Sequence, residues 1–354
     1  MNVSFGAARG CPGTVGTIPR SAIRRVLVRL PNWLGDTVMA LPALRLLRDA
    51  IPAAELWCLG PWAGVLEGEP GIARRLAPPG VVGARLAQAR RLRQVAFDLA
   101  LILTSSFETA LEGWLSGARW RVGYGHGDGQ GGLLTHSLRP DPAPVHQVAA
   151  YLRLLGPLGV DGPPTSPTLL IDAARRVEAR RLLQEVEMLA GDPKVGFQLG
   201  AALGPAKLWP AERLAALAAA LEGRGIHAVL LGSPQSRDLA DEVVAAAGRP
   251  VRSLVGRDRP ALLGALISEL DALVAADTGP AHVAAAVGVP TVTLFGPTDP
   301  RLTAPLGTRQ QALWRQPPCA PCFLRDCPID HRCLQAIEVA EVEAAVMTAL
   351  RGRP

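Results

Sequence analysis

Apolar residues in this chain recur in two patterns. Short continuous runs bounded by glycine, proline and polar residues predict buried strands, and they lie at residues 25–30, 55–59, 98–104, 119–124, 194–199, 227–231, 253–256, 271–277 and 290–296. The segments between them have helical spacing, as at residues 37–50, where Met39, Leu41, Leu44 and Leu47 share one face. This alternation of strands and helices predicts parallel sheets covered by helices.

A polar, proline-rich stretch at residues 159–167 divides the pattern into two halves. The chain has 354 residues, which is enough for two domains. We therefore predict an α/β protein with two Rossmann-like doubly wound domains, at residues 23–165 and 166–354, that face each other across a cleft. Residues 1–22 lack the apolar core of a signal peptide, and we expect a disordered or mis-assigned extension there. No apolar run is long enough for a membrane span, so we expect a cytoplasmic protein.

Charge is distributed unevenly between the two halves. Residues 1–170 contain 17 basic and 11 acidic residues, whereas residues 171–354 contain 20 of each. A basic half favours an anionic partner such as a phosphorylated lipid, a membrane surface or a nucleic acid. An arginine-rich composition without any such partner would give the same numbers.

The loop after the apolar run at residues 271–277 is a candidate ligand site. Asp277 ends the predicted strand, and the sequence TGPAH then turns the chain into a helix. The N–H groups of Thr278, Gly279 and Ala281 are expected to be free at this helix start, which attracts anions and phosphate above all. His282 can donate to the same anion. The alternative is an ordinary strand-to-helix turn in which Thr278 caps the helix.

Two further loops of the second half lie at the same predicted sheet edge. Residues 200–209 form a glycine-rich loop with Lys207, and Gly232-Ser233 follows the next strand. Backbone N–H groups and a lysine ammonium can together hold phosphate, so the three loops predict a nucleotide-diphosphate site. The Walker spacing does not fit at Lys207, which is followed by leucine, and the loop at residues 31–36 lacks G-x-G-x-x-G. These two absences argue against a P-loop ATPase and a nicotinamide enzyme.

The first half has a carboxylate at the corresponding edge. The sequence PNWLGD follows the run at residues 25–30 and ends at Asp36. Asp36 either caps the next helix or faces the crevice where ligands bind in open α/β sheets. Beside the apolar Trp33 its pKa could be raised, which would suit a general base.

A base on one domain and a nucleotide site on the other suit group transfer from a nucleotide donor to a separate acceptor. The residues alone leave two other functions open. One is a different nucleotide-sugar enzyme, such as a UDP-sugar transferase or an epimerase. The other is a non-catalytic nucleotide-binding protein.

Three stretches of the chain together resemble one family. They are RLPNWLGDTVMALPALRLLRDAIP at residues 29–52, LGAALGPAKLWP at 199–210 and AADTGPAHVAAAVGVPTVTLFGPTDP at 275–300. They are similar to the ADP-heptose:lipopolysaccharide heptosyltransferases, family 9 of the glycosyltransferases, and most of all to the type II members. The resemblance covers nearly all of the chain beyond about residue 24, and PNWLGD with DTGPAH is a highly specific combination.

The resemblance implies a GT-B type fold and an inverting reaction without catalytic metal or other cofactor. L-glycero-D-manno-heptose would move from ADP-heptose to the heptosyl-Kdo2-lipid A inner core of lipopolysaccharide. The implied partners are the ADP-sugar, the phosphorylated lipid A-core acceptor and the cytoplasmic face of the inner membrane, to which the protein would attach peripherally. Nucleic acid is not among them.

The resemblance also implies roles for individual residues. Asp36 would be the catalytic base, with Asn32, Trp33 and Gly35 on the acceptor side. On the donor side, Lys207 would neutralise the leaving diphosphate and Asp277 would contact donor hydroxyls. Thr278, Gly279 and His282 would form the phosphate-binding turn, and Gly232 and Ser233 a neighbouring loop.

Four cysteines lie close together near the C terminus, at Cys319, Cys322, Cys327 and Cys333. With His331 they could close a tetrahedral zinc site, but the spacing is not the usual pair and pair. Structural zinc is therefore possible but not favoured, a disulfide is a second possibility, and we expect reduced thiols.

Overall fold

A computed structural model describes residues 16–125, 129–188, 191–257 and 259–351. Within these residues the chain forms two parallel six-stranded sheets. The strands of the first sheet are β1 (Arg25–Arg29), β2 (Glu55–Leu59), β3 (Ile72–Leu76), β4 (Leu99–Ile102), β5 (Trp120–Tyr124) and β6 (His136–Leu138). The strands of the second are β7 (Lys194–Gln198), β8 (His227–Leu231), β9 (Arg252–Ser253), β10 (Ala272–Ala276), β11 (Thr291–Phe295) and β12 (Gln310–Trp314).

Helices connect the strands in both halves. Those that accompany the first sheet are α1 (Leu34–Met39), α2 (Leu41–Ala50), α3 (Val82–Leu92), α4 (Phe107–Leu115) and α5 (Gln147–Arg153). Those of the second half are α6 (Ala173–Gln184), α7 (Ala211–Glu222), α8 (Arg237–Ala247), α9 (Pro260–Ser268), α10 (Gly279–Ala286), α11 (Pro300–Thr303), α12 (Arg332–Gln335) and α13 (Val339–Arg351). We call each sheet with its helices the first and the second lobe. None of the described helices combines the length and apolarity needed to cross a bilayer.

The two sheets share one strand order. The first runs β3-β2-β1-β4-β5-β6, and the second runs β9-β8-β7-β10-β11-β12 when it is written in the same direction. The order in which successive strands are added to the sheet therefore reverses between β1 and β4 and again between β7 and β10. Such switch points are where open α/β sheets bind ligands. The predicted α/β architecture with two doubly wound sheets is confirmed.

Burial explains why the central strands form where the apolar runs predict them. Val28 of β1 lies opposite Cys58 of β2 and Leu101 of β4, and all three side chains are fully buried. One apolar cluster continues from this core into the second lobe, where it includes Leu266 of α9 and Ala281 of α10. The lobes are thus joined by packed apolar side chains.

Several element boundaries differ from the predictions. The helix expected at residues 37–50 is two helices, because the helix is interrupted at Ala40 and Pro42 lies in the first turn of α2, where its missing N–H costs nothing. The strand expected at 253–256 is the two-residue β9. The edge strands β3, β6 and β12 were not predicted at all.

The N-terminal extension predicted at residues 1–22 needs a correction at its end. Ile18 is buried, its N–H donates to the Pro157 carbonyl at 2.8 Å, and Arg20–Ala22 form a helical turn. These residues fold because Ile18 and Ile23 both enter the apolar core. The remainder of that prediction, residues 1–15, lies outside the described residues, and the domain boundary after residue 165 stays a prediction.

Candidate active site

Asp36 lies in the first turn of α1, directly beyond the carboxyl end of β1. Trp33, rather than Asp36, occupies the N-cap position, so the capping role is excluded. The side chain of Asp36 is partly buried, and its Oδ1 accepts a hydrogen bond of 3.0 Å from the Tyr151 hydroxyl. Burial raises the pKa of Asp36, the bond from Tyr151 opposes this rise, and the nearby Asp277 adds to it. The direction is the one expected for a general base.

A buried ion pair supports the loop in front of Asp36. Arg29 Nε donates to Glu112 at 2.6 Å, and both side chains are about 2% exposed. The same guanidinium donates to Asn32 Oδ1 at 2.9 Å, while the Trp62 indole donates to the Asn32 carbonyl at 3.1 Å. Asn32, predicted on the acceptor side, is thus held by the protein itself, whereas the Trp33 side chain is 54% exposed.

Lys207 and Asp277 form a second ion pair, which is largely buried, at the switch point of the other sheet. Lys207 lies on a short turn after β7, and Asp277 follows β10, the neighbouring strand. Lys207 Nζ donates to Asp277 Oδ2 at 2.8 Å and to the Asp277 carbonyl at 2.7 Å. Thr303 Oγ1 donates to the other carboxylate oxygen at 3.3 Å. The structure therefore brings together two of the predicted donor-site residues.

The start of α10 partly matches the predicted anion site. Thr278 occupies the N-cap position, but its hydroxyl donates to the Ala276 carbonyl at 3.2 Å instead of capping the helix. The prediction that the Ala281 N–H is free is wrong, because this group donates to the Thr278 carbonyl at 3.1 Å. In the part of the chain that the structure describes, the N–H groups of Thr278 and Gly279 have no acceptor.

His282 joins the two halves of the site. Its buried ring lies against Gly35, where an added Cβ would be 2.7 Å from the ring carbon Cδ2. A Cβ on Gly279 would likewise be 2.7 Å from the Leu34 Cβ. The first turns of α1 and α10 therefore meet through glycines, and Asp36 lies at this seam. Burial lowers the pKa of His282 to about 4, so the ring is neutral at physiological pH.

The remaining predicted donor residues lie at the end of β8. Gly232 is buried, and an added Cβ would be 3.1 Å from the Leu199 carbonyl, at the start of the loop that holds Lys207. Ser233 is exposed at the same edge of the sheet. Their contact with a ligand stays a prediction.

Comparison with known proteins decides the family. The profile of glycosyltransferase family 9 (heptosyltransferase) matches residues 85–332. The chain belongs to glycosyltransferase family 9. The resemblance found in the three sequence stretches is thereby confirmed, although the first stretch lies outside the matched region.

Individual relatives of this family 9 glycosyltransferase span most of its length. Lipopolysaccharide heptosyltransferase 2 of Salmonella typhimurium is 29% identical over 309 residues, which are 82% of this chain and 87% of that protein. The solved structure of Escherichia coli ADP-heptose lipopolysaccharide heptosyltransferase II is 27% identical, with a TM-score of 0.78, and the match covers 92% of this chain and 98% of that one. A family 9 glycosyl transferase from Veillonella parvula, 24% identical with a TM-score of 0.81 over 93% and 98% of the chains, shares the fold.

Two residues near the candidate site of this glycosyltransferase were not predicted from the sequence. Tyr151 looks like an ordinary core residue of α5, and its contact with Asp36 spans 115 positions. His146 caps α5 by accepting from the Val148 N–H, and its Nε2 lies 2.9 Å from the Ala304 carbonyl of the second lobe. This pattern requires the neutral tautomer with the proton on Nε2. Only the helical spacing at residues 146–158 pointed to the element that holds both.

The C-terminal cysteines are free thiols in this structure. Cys319, Cys322, Cys327 and Cys333 form no disulfide, and the Sγ of Cys327 accepts a hydrogen bond from the His331 N–H at 3.4 Å. Among the described residues, no group of three or more His, Cys, Asp or Glu side chains is arranged to hold a metal ion. The expectation that the reaction needs no metal stays a prediction.

Proposed function

We propose that this glycosyltransferase moves L-glycero-D-manno-heptose from ADP-heptose to the heptosyl-Kdo2-lipid A inner core of lipopolysaccharide, with inversion at the sugar carbon. The observation that supports this most is the seam between α1 and α10. There His282 of the second lobe lies against Gly35, and the charges of Asp277 and Lys207 are close enough to influence the pKa of the neighbouring Asp36. The names of the relatives supply the sugar and the acceptor.

In the proposed reaction Asp36 takes the proton from the attacking hydroxyl of the acceptor heptose. The hydroxyl oxygen then bonds to the anomeric carbon of the donor sugar, and the bond from that carbon to the diphosphate breaks. ADP leaves with the electron pair of this bond. Because burial raises the pKa of Asp36, its carboxylate is a stronger base than that of an exposed aspartate.

The second lobe would stabilise the negative charge that develops on the leaving ADP. Lys207 supplies a positive charge, and the N–H groups of Thr278 and Gly279 point out of the start of α10 without an acceptor in the described residues. His282 can donate a hydrogen bond while remaining neutral. Fixed donors of this kind, aimed at developing charge, are usually the largest single contribution to catalysis.

We assign the acceptor to the first lobe and the ADP-sugar to the second, with the domain division at residues 165 and 166. The excess of basic residues in the first half suits a phosphorylated lipid acceptor. We place the enzyme in the cytoplasm, attached peripherally to the inner membrane, and we assign the reaction no metal or other cofactor.

The test is transfer from ADP-L-glycero-β-D-manno-heptose to heptosyl-Kdo2-lipid A, followed by mass spectrometry. A UDP-sugar in place of the ADP-sugar, and Kdo2-lipid A in place of the heptosylated acceptor, serve as the matched controls. ADP and UDP are compared in parallel by thermal shift, because a ligand that binds only the native state raises its melting temperature.

Gain of one heptose only with the ADP-sugar and the heptosylated acceptor is the expected result. Binding of ADP without transfer would overturn the assigned acceptor or sugar but keep the donor lobe. If UDP raised the melting temperature and ADP did not, the assignment of an ADP-sugar donor would be wrong.

A further inference from the structure

We propose that Tyr151 is a positioning residue that fixes the orientation and the charge state of Asp36 in the transfer reaction. This inference rests on the proposed function for its catalytic meaning, because Asp36 is the base only in that reaction. Its structural basis is independent of the substrate.

The contact is built from a buried hydroxyl and a partly buried carboxylate. Tyr151 is 2% exposed, and its hydroxyl lies 3.0 Å from Asp36 Oδ1. A phenol has a single proton to donate. An ionised carboxylate has no proton to donate and can only accept. The hydroxyl proton is therefore left for Asp36.

This bond has a definite direction, because the Tyr151 hydroxyl donates to Asp36 Oδ1. Burial, with the nearby Asp36 charge, raises the pKa of Tyr151 well above its usual value, so the phenol keeps its proton. With Oδ1 engaged, the second carboxylate oxygen is left for the acceptor hydroxyl.

The hydrogen bond and the burial act on Asp36 in opposite directions. Burial disfavours the ionised carboxylate, whereas the donated proton of Tyr151 stabilises it. Tyr151 thus keeps the base ionised at a lower pH than the cleft alone would allow. A side chain that only filled space at this position would have no such effect.

Other charged groups around Asp36 have partners of their own. Asp277 and Lys207 are paired with each other, His282 on α10 is neutral at physiological pH, and His146 at the start of α5 is bonded to the Ala304 carbonyl. The charged residues of α2 and α5 form ion pairs, which are Arg45 with Glu69, Arg48 with Asp49 and Arg153 with Asp141. Tyr151 therefore acts on the Asp36 carboxylate directly, through its hydrogen bond.

The chain contains two tyrosines, and the second provides a matched control. Tyr124 donates its hydroxyl to the Ala150 carbonyl at 2.7 Å, on the same helix as Tyr151 but not to Asp36. Tyr151→Phe and Tyr124→Phe therefore remove the same group from two neighbouring sites. In the Tyr124→Phe background, fluorotyrosine supplied during expression enters position 151 alone, where it is a stronger hydrogen-bond donor of nearly the same size.

The experiment measures the ionisation of Asp36 in two ways. One is the acidic limb of the pH profile of kcat/KM for heptose transfer. The other needs no turnover and follows the side-chain carboxyl of Asp36 by carbon-13 NMR as the pH changes, with Asp36→Asn to assign its signal.

Tyr151→Phe should move both midpoints upward by about one pH unit or more, since a hydrogen bond to a charged group is lost. Fluorotyrosine at position 151 should move them downward, and Tyr124→Phe should leave them unchanged. Because fluorotyrosine preserves the packing, it decides the question even if Tyr151→Phe does not fold.

Midpoints that are the same in wild type, Tyr151→Phe and the fluorotyrosine protein would overturn the proposal, as would an equal shift in Tyr124→Phe. A shift of the NMR midpoint in a protein that transfers no heptose would overturn the proposed function and support the control of Asp36 by Tyr151.

Discussion

Asp36, the proposed catalytic base, lies in an environment that is unfavourable for its negative charge. Folding raises its pKa through burial, so the ionised carboxylate destabilises the native state at neutral pH. Asp36→Asn should therefore raise the melting temperature by about 1–3 °C, since the amide oxygen can still accept the bond from Tyr151. The same change should lower turnover by about a hundredfold or more because the base is lost.

Calorimetry, transfer kinetics and ADP titration of this one variant separate the two effects. ADP affinity is the internal control. Because Asp36 belongs to the first lobe, the substitution Asp36→Asn should leave ADP affinity nearly unchanged. Full activity of Asp36→Asn would show that another group takes the proton.

His282 should make the folded state sensitive to mild acid. Its pKa falls from 6.5 to about 4 on folding, because burial disfavours the protonated ring. The unfolded chain therefore binds a proton that the native state does not bind, and the free energy of unfolding falls as the pH drops from 6.5 towards 4. Between pH 7 and pH 5 this loss amounts to about 2 kcal/mol.

Urea unfolding of wild type and His282→Gln at the two pH values tests this. The variant should lose less stability than the wild type over the same interval. Two other residues modify the total: burial also lowers the pKa of His146, which adds to the loss, while the raised pKa of Asp36 offsets part of it. Equal losses in wild type and variant would mean that His282 is protonated in the native state.

Individual site residues were predictable where chemistry and position coincided. Asp277 ends an apolar run, and Asp36 and Lys207 lie in the loops that follow two others, so their position at the switch points follows from the rules of parallel sheets. Tyr151 was not predictable, since its place on an apolar helix face resembles that of any core residue. The bond between Tyr151 and Asp36 depends on the packing of α5 against α1, which no local pattern specifies.

At the scale of elements, the approach of α1 to α10 depends on glycine. A Cβ at position 35 would be 2.7 Å from His282 Cδ2 and 3.4 Å from the Gly279 Cα. Gly35→Ala should thus push the two helices apart, with a loss of about 1–3 kcal/mol in the free energy of unfolding. Turnover should also fall, since Asp36 follows Gly35 directly.

Gly83→Ala is the matched control for this change. Gly83 is likewise the second residue of its helix, α3, but an added Cβ would meet nothing within 4 Å. This variant should be neutral or more stable by about 0.5–1 kcal/mol, because alanine favours the helix. Equal effects of the two substitutions in urea unfolding would exclude the close contact with His282.

The elements themselves were predictable according to their place in the sheets. Central strands such as β1, β4 and β10 are buried on both faces and appear as continuous apolar runs. The edge strands β3, β6 and β12 are short, polar or half-exposed, so their sequences lack that pattern. Their pairing is fixed by the neighbouring strand rather than by their own residues.

At the scale of the whole molecule, the two lobes differ in net charge. The surplus of basic over acidic residues lies entirely in the first 170 residues. We expect the protein to bind vesicles that contain anionic lipid at low ionic strength and to be released as salt rises beyond about 0.15 M, where screening acts within about 8 Å.

Co-sedimentation with phosphatidylglycerol-containing vesicles over a series of salt concentrations measures this binding, and vesicles of phosphatidylcholine alone are the control. Equal binding to anionic and neutral vesicles, or binding that persists unchanged at high salt, would contradict an electrostatic attachment.

The ion pair between Lys207 and Asp277 has a consequence for the release of product in the proposed reaction. A buried ammonium that held ADP and had no other partner would lose its compensation when the product left, and leaving a buried charge unpaired costs about 3–5 kcal/mol. Here the carboxylate of Asp277 lies 2.8 Å from Lys207 and can take over as the product departs. If Lys207 holds the diphosphate as proposed, Asp277 competes with the product for the ammonium, which should weaken ADP binding and shorten the residence time of ADP on the enzyme.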